Sequence, residues 1–171
     1  MMDTPIFKVI QKRRSIRSFS DKLVEGSKIQ KILQVSCMGP SARGLQSFRI
    51  YVIKNKMKKE KMIHAAHKQE YVNAPLLLVF CTQPTKIKKM MGMRGEKLFS
   101  IQDATIAASY AQLAATALGL ASVWIGNFNE KLVQKIIKTN LRPITILPIG
   151  YPNERPQPKK TKKINEIIKS I

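Results

Sequence analysis

Arg13-Arg14-Ser15-Ile16-Arg17 is the stretch on which the reading of this chain turns. Three guanidiniums and a hydroxyl fall within five residues. Arginine presents a planar fork that grips phosphate or carboxylate at two points. A hydroxyl and neighbouring backbone N–H groups complete such a cradle. Taken alone, the run also reads as a solvated basic surface, so its surroundings have to decide. Upstream, Thr4 and Pro5 have the character of N-cap and N1 of a short helix with Ile6, Phe7 and Ile10 on its apolar side. Downstream, Phe19 and the polar residues after it read as a linker. Ser27 is then placed to cap a second helix, with Ile29, Ile32 and Leu33 at helical spacing and Cys37 at its end.

The totals bound the answer. A chain of 171 residues with 44% hydrophobic content has the size and composition of one globular domain. Its formal net charge of +21 invites a polyanion: nucleic acid, an anionic membrane or a phosphorylated ligand. Aromatics make up only 6%, few for a protein that stacks single-stranded bases. Cys37 and Cys81 lie far apart in apolar segments without metal-ligand spacing, which suits a reduced, cytoplasmic setting. Met1-Met2-Asp3-Thr4-Pro5 lacks the basic start and apolar run of a secretory signal. Residues 104–129 carry no charge, but the run is rich in Ala, Ser, Thr and Gln and is interrupted by Gly119. It reads as a buried helix followed by a buried strand rather than a membrane span.

Along the rest of the chain, residues 38–47 read as a loop from their Gly, Pro and Ser content. Phe48 opens an alternating strand that ends at Lys54, and residues 56–68 form a basic helix. His64 and His67 on that helix have no carboxylate or cysteine at a convincing ligand position, so no metal is expected. Residues 76–81 are a continuous apolar run, as in a central strand. Residues 82–99, with Pro84, Gly92, Gly95 and three methionines, read as an irregular lid or mobile loop. Ser100 and Asp103 have capping-box spacing before an alanine-rich helix that stops near Gly119. A strand at 121–125, a turn, a helix capped by Asn129 and a strand at 144–149 follow. Lys159-Lys160-Thr161-Lys162-Lys163 is a second cationic cluster. No Gly-rich nucleotide loop, catalytic triad or carboxylate pair is apparent.

Four separated stretches together resemble the FMN-dependent nitroreductase family. They are Arg13-Arg14-Ser15-Ile16-Arg17-Ser18-Phe19, Pro40-Ser41-Ala42-Arg43-Gly44-Leu45-Gln46, Ala117-Leu118-Gly119-Leu120-Ala121-Ser122-Val123-Trp124-Ile125-Gly126, and Pro148-Ile149-Gly150-Tyr151-Pro152 with the basic tail. The resemblance implies an α+β fold: a three-layer αβα sandwich, its mixed but mainly antiparallel sheet flanked by helices, in an intertwined homodimer with two FMN sites at the interface. It implies that Arg13 and Ser15 bind the FMN phosphate, with Arg14 assisting or facing solvent. Arg17 would reach flavin N1 and O2, where a cation favours the reduced cofactor. Pro40, Ser41, Ala42 and Gln46 match the family's loop from the partner subunit. The family often has Asn where this chain has Gly44, and Pro-Trp where it has Ser47-Phe48, so contacts from the loop's backbone are the firmer expectation. Ile125 and Gly126 match the segment whose backbone N–H faces flavin N5, while the Trp124 side chain reads as core. Lys160 and Lys162 are chosen as a second phosphate clamp in a register loose by one or two residues. Gln69, with His67 next, is a candidate for the pyrimidine edge, although both also read as exposed helix residues.

The function so implied is a ping-pong oxidoreductase that passes hydride from NADH or NADPH through FMN to a nitroaromatic, quinone or similar small acceptor. No protein nucleophile, metal or membrane is expected to take part. A basic nucleic-acid-binding protein and a non-catalytic FMN-binding protein are the rival readings; the first is disfavoured because a phosphate ligand accounts for both cationic clusters.

Overall fold

The computed structural model describes residues 4–156 and 162–170. Its centre is a four-stranded sheet in the order β1-β2-β4-β3: β1 (Phe48–Ile53), β2 (Leu76–Thr82), β3 (Ala121–Ser122) and β4 (Pro143–Gly150). Every named pairing is antiparallel, with Val79 opposite Tyr51 on one side and Ile146 on the other. Among the described residues one parallel bridge, Ser15 to Ser122, supplies the mixed character.

All seven residues of β2 are buried, which is why that strand reads as a continuous apolar run. Its side chains alternate between two layers. Leu77, Val79 and Cys81 pack with Met62 of α3 (Lys56–Ala65) and Val133 and Ile137 of α6 (Glu130–Ile137). Leu76, Leu78 and Phe80 pack with Ile29 and Ile32 of α2 (Gly26–Ser36) and the alanines of α5 (Ser100–Ala117). Ala107, Ala108, Ala111, Ala114 and Ala115 are all buried, so α5 lies close against the sheet and leaves the volume of this contact to Leu76, Leu78 and Phe80 of the strand. Burial pushes the Cys81 thiol up to about 12, leaving it a core hydrophobe rather than a nucleophile.

Several local expectations need correction. The segment 82–99 is not irregular: Pro84 leads into α4 (Thr85–Arg94), and a π-type turn at Gly95–Phe99 runs directly into α5. Gly92, at φ 58° and ψ −150°, is the break within α4. Ser100 therefore caps nothing; its hydroxyl donates to the Glu96 carbonyl at 2.6 Å. Helix α2 starts one residue before Ser27, with Glu25 in the N-cap position. Helix α3 ends at Ala65, three residues short of expectation, as His67 and Lys68 turn left-handed. The strand at 121–125 is regular only over β3, Ile125 joining through an isolated bridge to Ile146. Helix α1 (Pro5–Lys12) forms as expected, but its apolar side is not covered: Ile6, Phe7 and Ile10 are 54%, 43% and 48% exposed.

The strap after Arg17 is drawn onto the end of β4. Phe19 bridges Pro152, Ser20 N–H donates to Tyr151 O at 3.0 Å, and Asn153 N–H donates to Ser18 O at 2.9 Å. Gly150 permits this approach, since a Cβ there would stand 2.8 Å from Pro75 Cδ and 3.2 Å from Phe19 Cδ1. Gly150→Ala is expected to destabilise the fold by about 1–3 kcal/mol through overpacking. Urea unfolding checks this, and a loss under about 0.5 kcal/mol would mean that the strap yields freely.

Candidate functional site

The polar strap at residues 13–18 is held from three sides. Ile16 is buried and its N–H donates to Ser122 O at 3.2 Å. The Ser122 hydroxyl in turn accepts from Gln112 Nε2 of α5 at 3.2 Å. On the far side, the Glu154 carboxylate accepts the backbone N–H groups of both Arg17 and Ser18. With Ile16 turned into the core, Arg13, Arg14, Ser15 and Arg17 turn outward and, with Glu154, Arg155 and Pro156, line a cavity of about 510 Å³. Four of those seven side chains are guanidiniums. The one acid is engaged by backbone N–H groups, so the cavity is a positive concavity suited to an anion. Arg13 is half-buried and, among the described residues, makes no ion pair.

From Arg17 the site extends toward the turn after β3. The Arg17 guanidinium carbon lies 5.9 Å from the centre of the Tyr71 ring. The Tyr71 hydroxyl donates to Gln69 Oε1. Gln69 Nε2 donates to Ala66 O at 2.6 Å and to Asn127 O at 2.8 Å. The Gln69 amide group thus has both N–H bonds made within the chain. His67 is exposed and left-handed at φ 53°. Ile125 is buried and Gly126 exposed. A Cβ at Gly126 would meet only Trp124, at 3.6 Å or beyond, so packing within the chain does not require glycine there. Trp124 is half-buried against the α5 side of the core, as its core reading implies.

The loop at 40–46 does not join that cavity within one chain. It folds as a short 3-10 turn, Ala42–Gly44, with Arg43, Gly44 and Gln46 at φ 52°, 68° and 47°. Asp103 fixes this left-handed geometry from the start of α5. Its Oδ1 accepts Ala42 N–H and its Oδ2 accepts Ser47 N–H, both at 2.9 Å. Gln46 donates from Nε2 to Cys37 O at 2.6 Å and from its backbone N–H to the Ser41 hydroxyl at 3.1 Å. Pro40, Ser41 and Ala42 border a second cavity of about 580 Å³, largely apolar, with Phe99, Ile101 and Ile106. A larger cavity of about 860 Å³ between α3 and α6, bordered by Met57, His64, Leu132 and Ile136, contains none of the expected site residues.

Lys160 lies outside the described residues, and Lys162 is exposed. Among the described residues no cluster of His, Cys, Asp and Glu could hold a metal, and no helix is long and apolar enough to cross a membrane. Sequence reasoning missed Glu154, Tyr71 and the true role of Asp103. Glu154 carries the one legible signal: it is the lone acid in residues 131–165, two residues after Pro152 and just before the second basic cluster.

Comparison with known proteins adds independent weight. The family model described as "Putative TM nitroreductase" matches residues 5–170. A "Putative NADH dehydrogenase/NAD(P)H nitroreductase" of Methanothermobacter thermautotrophicus is 32% identical over 158 residues, 88% of this chain and 79% of that protein. An FMN reductase (NAD(P)H) of Bacillus subtilis is 28% identical over 166 residues, 88% of this chain and 67% of that protein. In fold, the crystal structure of nitroreductase A from Vibrio parahaemolyticus superposes with a TM-score of 0.90 at 24% identity, over 98% of this chain and 75% of that one. With the family model matched from α1 to the C-terminal segment, this chain belongs to the nitroreductase family.

Proposed function

We propose that the chain is an NAD(P)H-dependent FMN oxidoreductase acting on a small oxidised acceptor such as a nitroaromatic or quinone. The observation that carries this reading is the guanidinium-lined concavity of Arg13, Ser15 and Arg17 in a chain of this family. Its donor set fits a phosphate monoester: planar forks for two-point binding, a hydroxyl, and a low share of competing acid. Arg13 and Ser15, with help from Arg14, would hold the phosphate. Lys160 and Lys162 would add point charges from the tail. Arg17 would place a cation beside the ring system and raise the electron affinity of the bound cofactor. The Ile125-Gly126 backbone would present an N–H toward the ring without adding a titrating group. FMN, when bound, supplies the redox step, taking two electrons from NAD(P)H and giving them to the acceptor.

The loop of Pro40, Ser41, Ala42 and Gln46 would serve the partner's cofactor in a homodimer. Two features of the single chain support a dimer. The apolar side of α1 is left uncovered, and β1 is a sheet edge with unpaired backbone groups. The experiment is a visible spectrum of the purified protein before and after anaerobic NADH or NADPH. Flavin bands that bleach are the expected result. Bands that neither nucleotide bleaches would mean a flavin carrier. No flavin after reconstitution with FMN would overturn the reading and favour a polyanion-binding surface.

A further inference from the structure

Resting on the flavin reading above, we propose that Tyr71 and Gln69 form a positioning bridge that sets Arg17 and the Gly126-Asn127 turn in fixed relation. The bridge joins three regions of chain distant in sequence. The Tyr71 ring lies 5.9 Å from the Arg17 guanidinium carbon, within cation–π range. Its hydroxyl donates to Gln69 Oε1, and Gln69 Nε2 donates to Asn127 O at 2.8 Å. A cation and a backbone turn, the two features expected to act on different parts of one flat ring, are thereby tied through two side chains.

The base of the bridge is rigid. Val72, one residue after Tyr71, is fully buried in the core. Asn129 N–H donates to Ala65 O at 2.8 Å, so the turn after Gly126 is already docked on the end of α3. That backbone bond would suffice to join the two segments. What Gln69 adds is a fixed orientation of the Asn127 carbonyl, one residue from Gly126. Gln69 also closes back on Ala66 O at 2.6 Å, across His67 and Lys68, which stand at φ 53° and 61°. Two successive left-handed residues without glycine need such restraint, and strain of this kind collects at sites where geometry matters. Arg17 is exposed, and among the described residues its guanidinium makes no salt bridge and lies over the Tyr71 ring. Without the ring, its position would be set by its flexible stem alone.

The test is an anaerobic titration of the full-length protein with FMN, oxidised and reduced, giving a dissociation constant for each. Their ratio reports how the site acts on the cofactor's electronics and is insensitive to simple loss of fold stability. Tyr71→Phe removes one oxygen and keeps the ring; Tyr71→Leu removes both. For Tyr71→Phe the oxidised-state constant should rise about three-fold, and for Tyr71→Leu the reduced-to-oxidised ratio should change by about three-fold or more. Tyr51→Phe, which removes an equivalent hydroxyl from its 2.7 Å bond to Thr139, should leave both at wild-type values. Wild-type constants in Tyr71→Phe, or a wild-type ratio in Tyr71→Leu, would overturn the bridge while leaving the flavin reading intact. If Tyr71→Leu does not fold, the Tyr71→Phe constant decides. A wild-type protein that binds no FMN would remove both.

Discussion

Asp103→Ala is expected to lower the unfolding free energy by about 3 kcal/mol, more than any surface substitution in this chain. The carboxylate is 2% exposed and, among the described residues, has no cation as partner. Its two oxygens are instead bound by Ala42 N–H and Ser47 N–H, at 2.9 Å each. Hydrogen bonds to a charged group contribute about 1.5–3 kcal/mol apiece, and deleting the acceptor strands both donors. Ser47 is itself 3% exposed, and its hydroxyl lacks a partner among the described residues, so nothing nearby replaces the lost acceptor. The loop between these anchors holds Arg43 and Gln46 in left-handed backbone that such residues seldom adopt. Freed, it should relax. Urea unfolding measures the loss, and Asp103→Asn, which keeps one acceptor oxygen, should fall between the two. A loss below about 1 kcal/mol for the alanine variant would refute the clamp. Under the dimer proposal, the same variant should also release FMN faster, because the loop would serve the partner's site.

How much of this was legible in the sequence follows from the range of the interactions. Asn129 reads correctly as a cap because capping is local: its Oδ1 accepts Leu132 N–H at 3.0 Å, three residues on. The apolar run of β2 is legible because a strand buried on both faces has no polar alternation to interpret. Ser100 and Asp103 show the limit. Their spacing is that of a capping box, but a cap needs a helix that begins there. The π-type turn of Gly95–Phe99 feeds α5 without a break, so Asp103 is available to a loop 56 and 61 residues away in sequence. Segment 82–99 misleads for a related reason. Its proline precedes the helix and its glycine at 92 breaks it, whereas composition alone scores both as loop. At the site, the guanidinium-lined cavity of Arg13–Arg17 is recognisable because most of its lining comes from nearly consecutive residues. Glu154 and Tyr71 are not, because each meets the strap only through tertiary packing.

Arg13→Ala should raise the dissociation constant for FMN by about 30-fold, the value of one charge-assisted contact of roughly 2 kcal/mol. Arg13 is half-buried beside Ser15 and lines the anion cavity. With no competing carboxylate partner among the described residues, its fork is available to the ligand, and removing it leaves no rearranged ion pair to offset the loss. Arg14 and Arg155 remain in the cavity, so binding should weaken without vanishing. Arg13→Lys keeps the charge but not the planar two-point fork, and should recover only part of the affinity. The two contributions separate by salt. Lysine, acting as a point charge at the cavity surface, should lose affinity with ionic strength as a screened interaction does, whereas a desolvated two-point contact is screened less. Fluorescence quenching of FMN at low and high salt measures both. Equal affinity for wild type and Arg13→Ala at either ionic strength would move the phosphate to another part of the strap. In that case Ser15 and the remaining guanidiniums of Arg14, Arg17 and Arg155 would have to hold it.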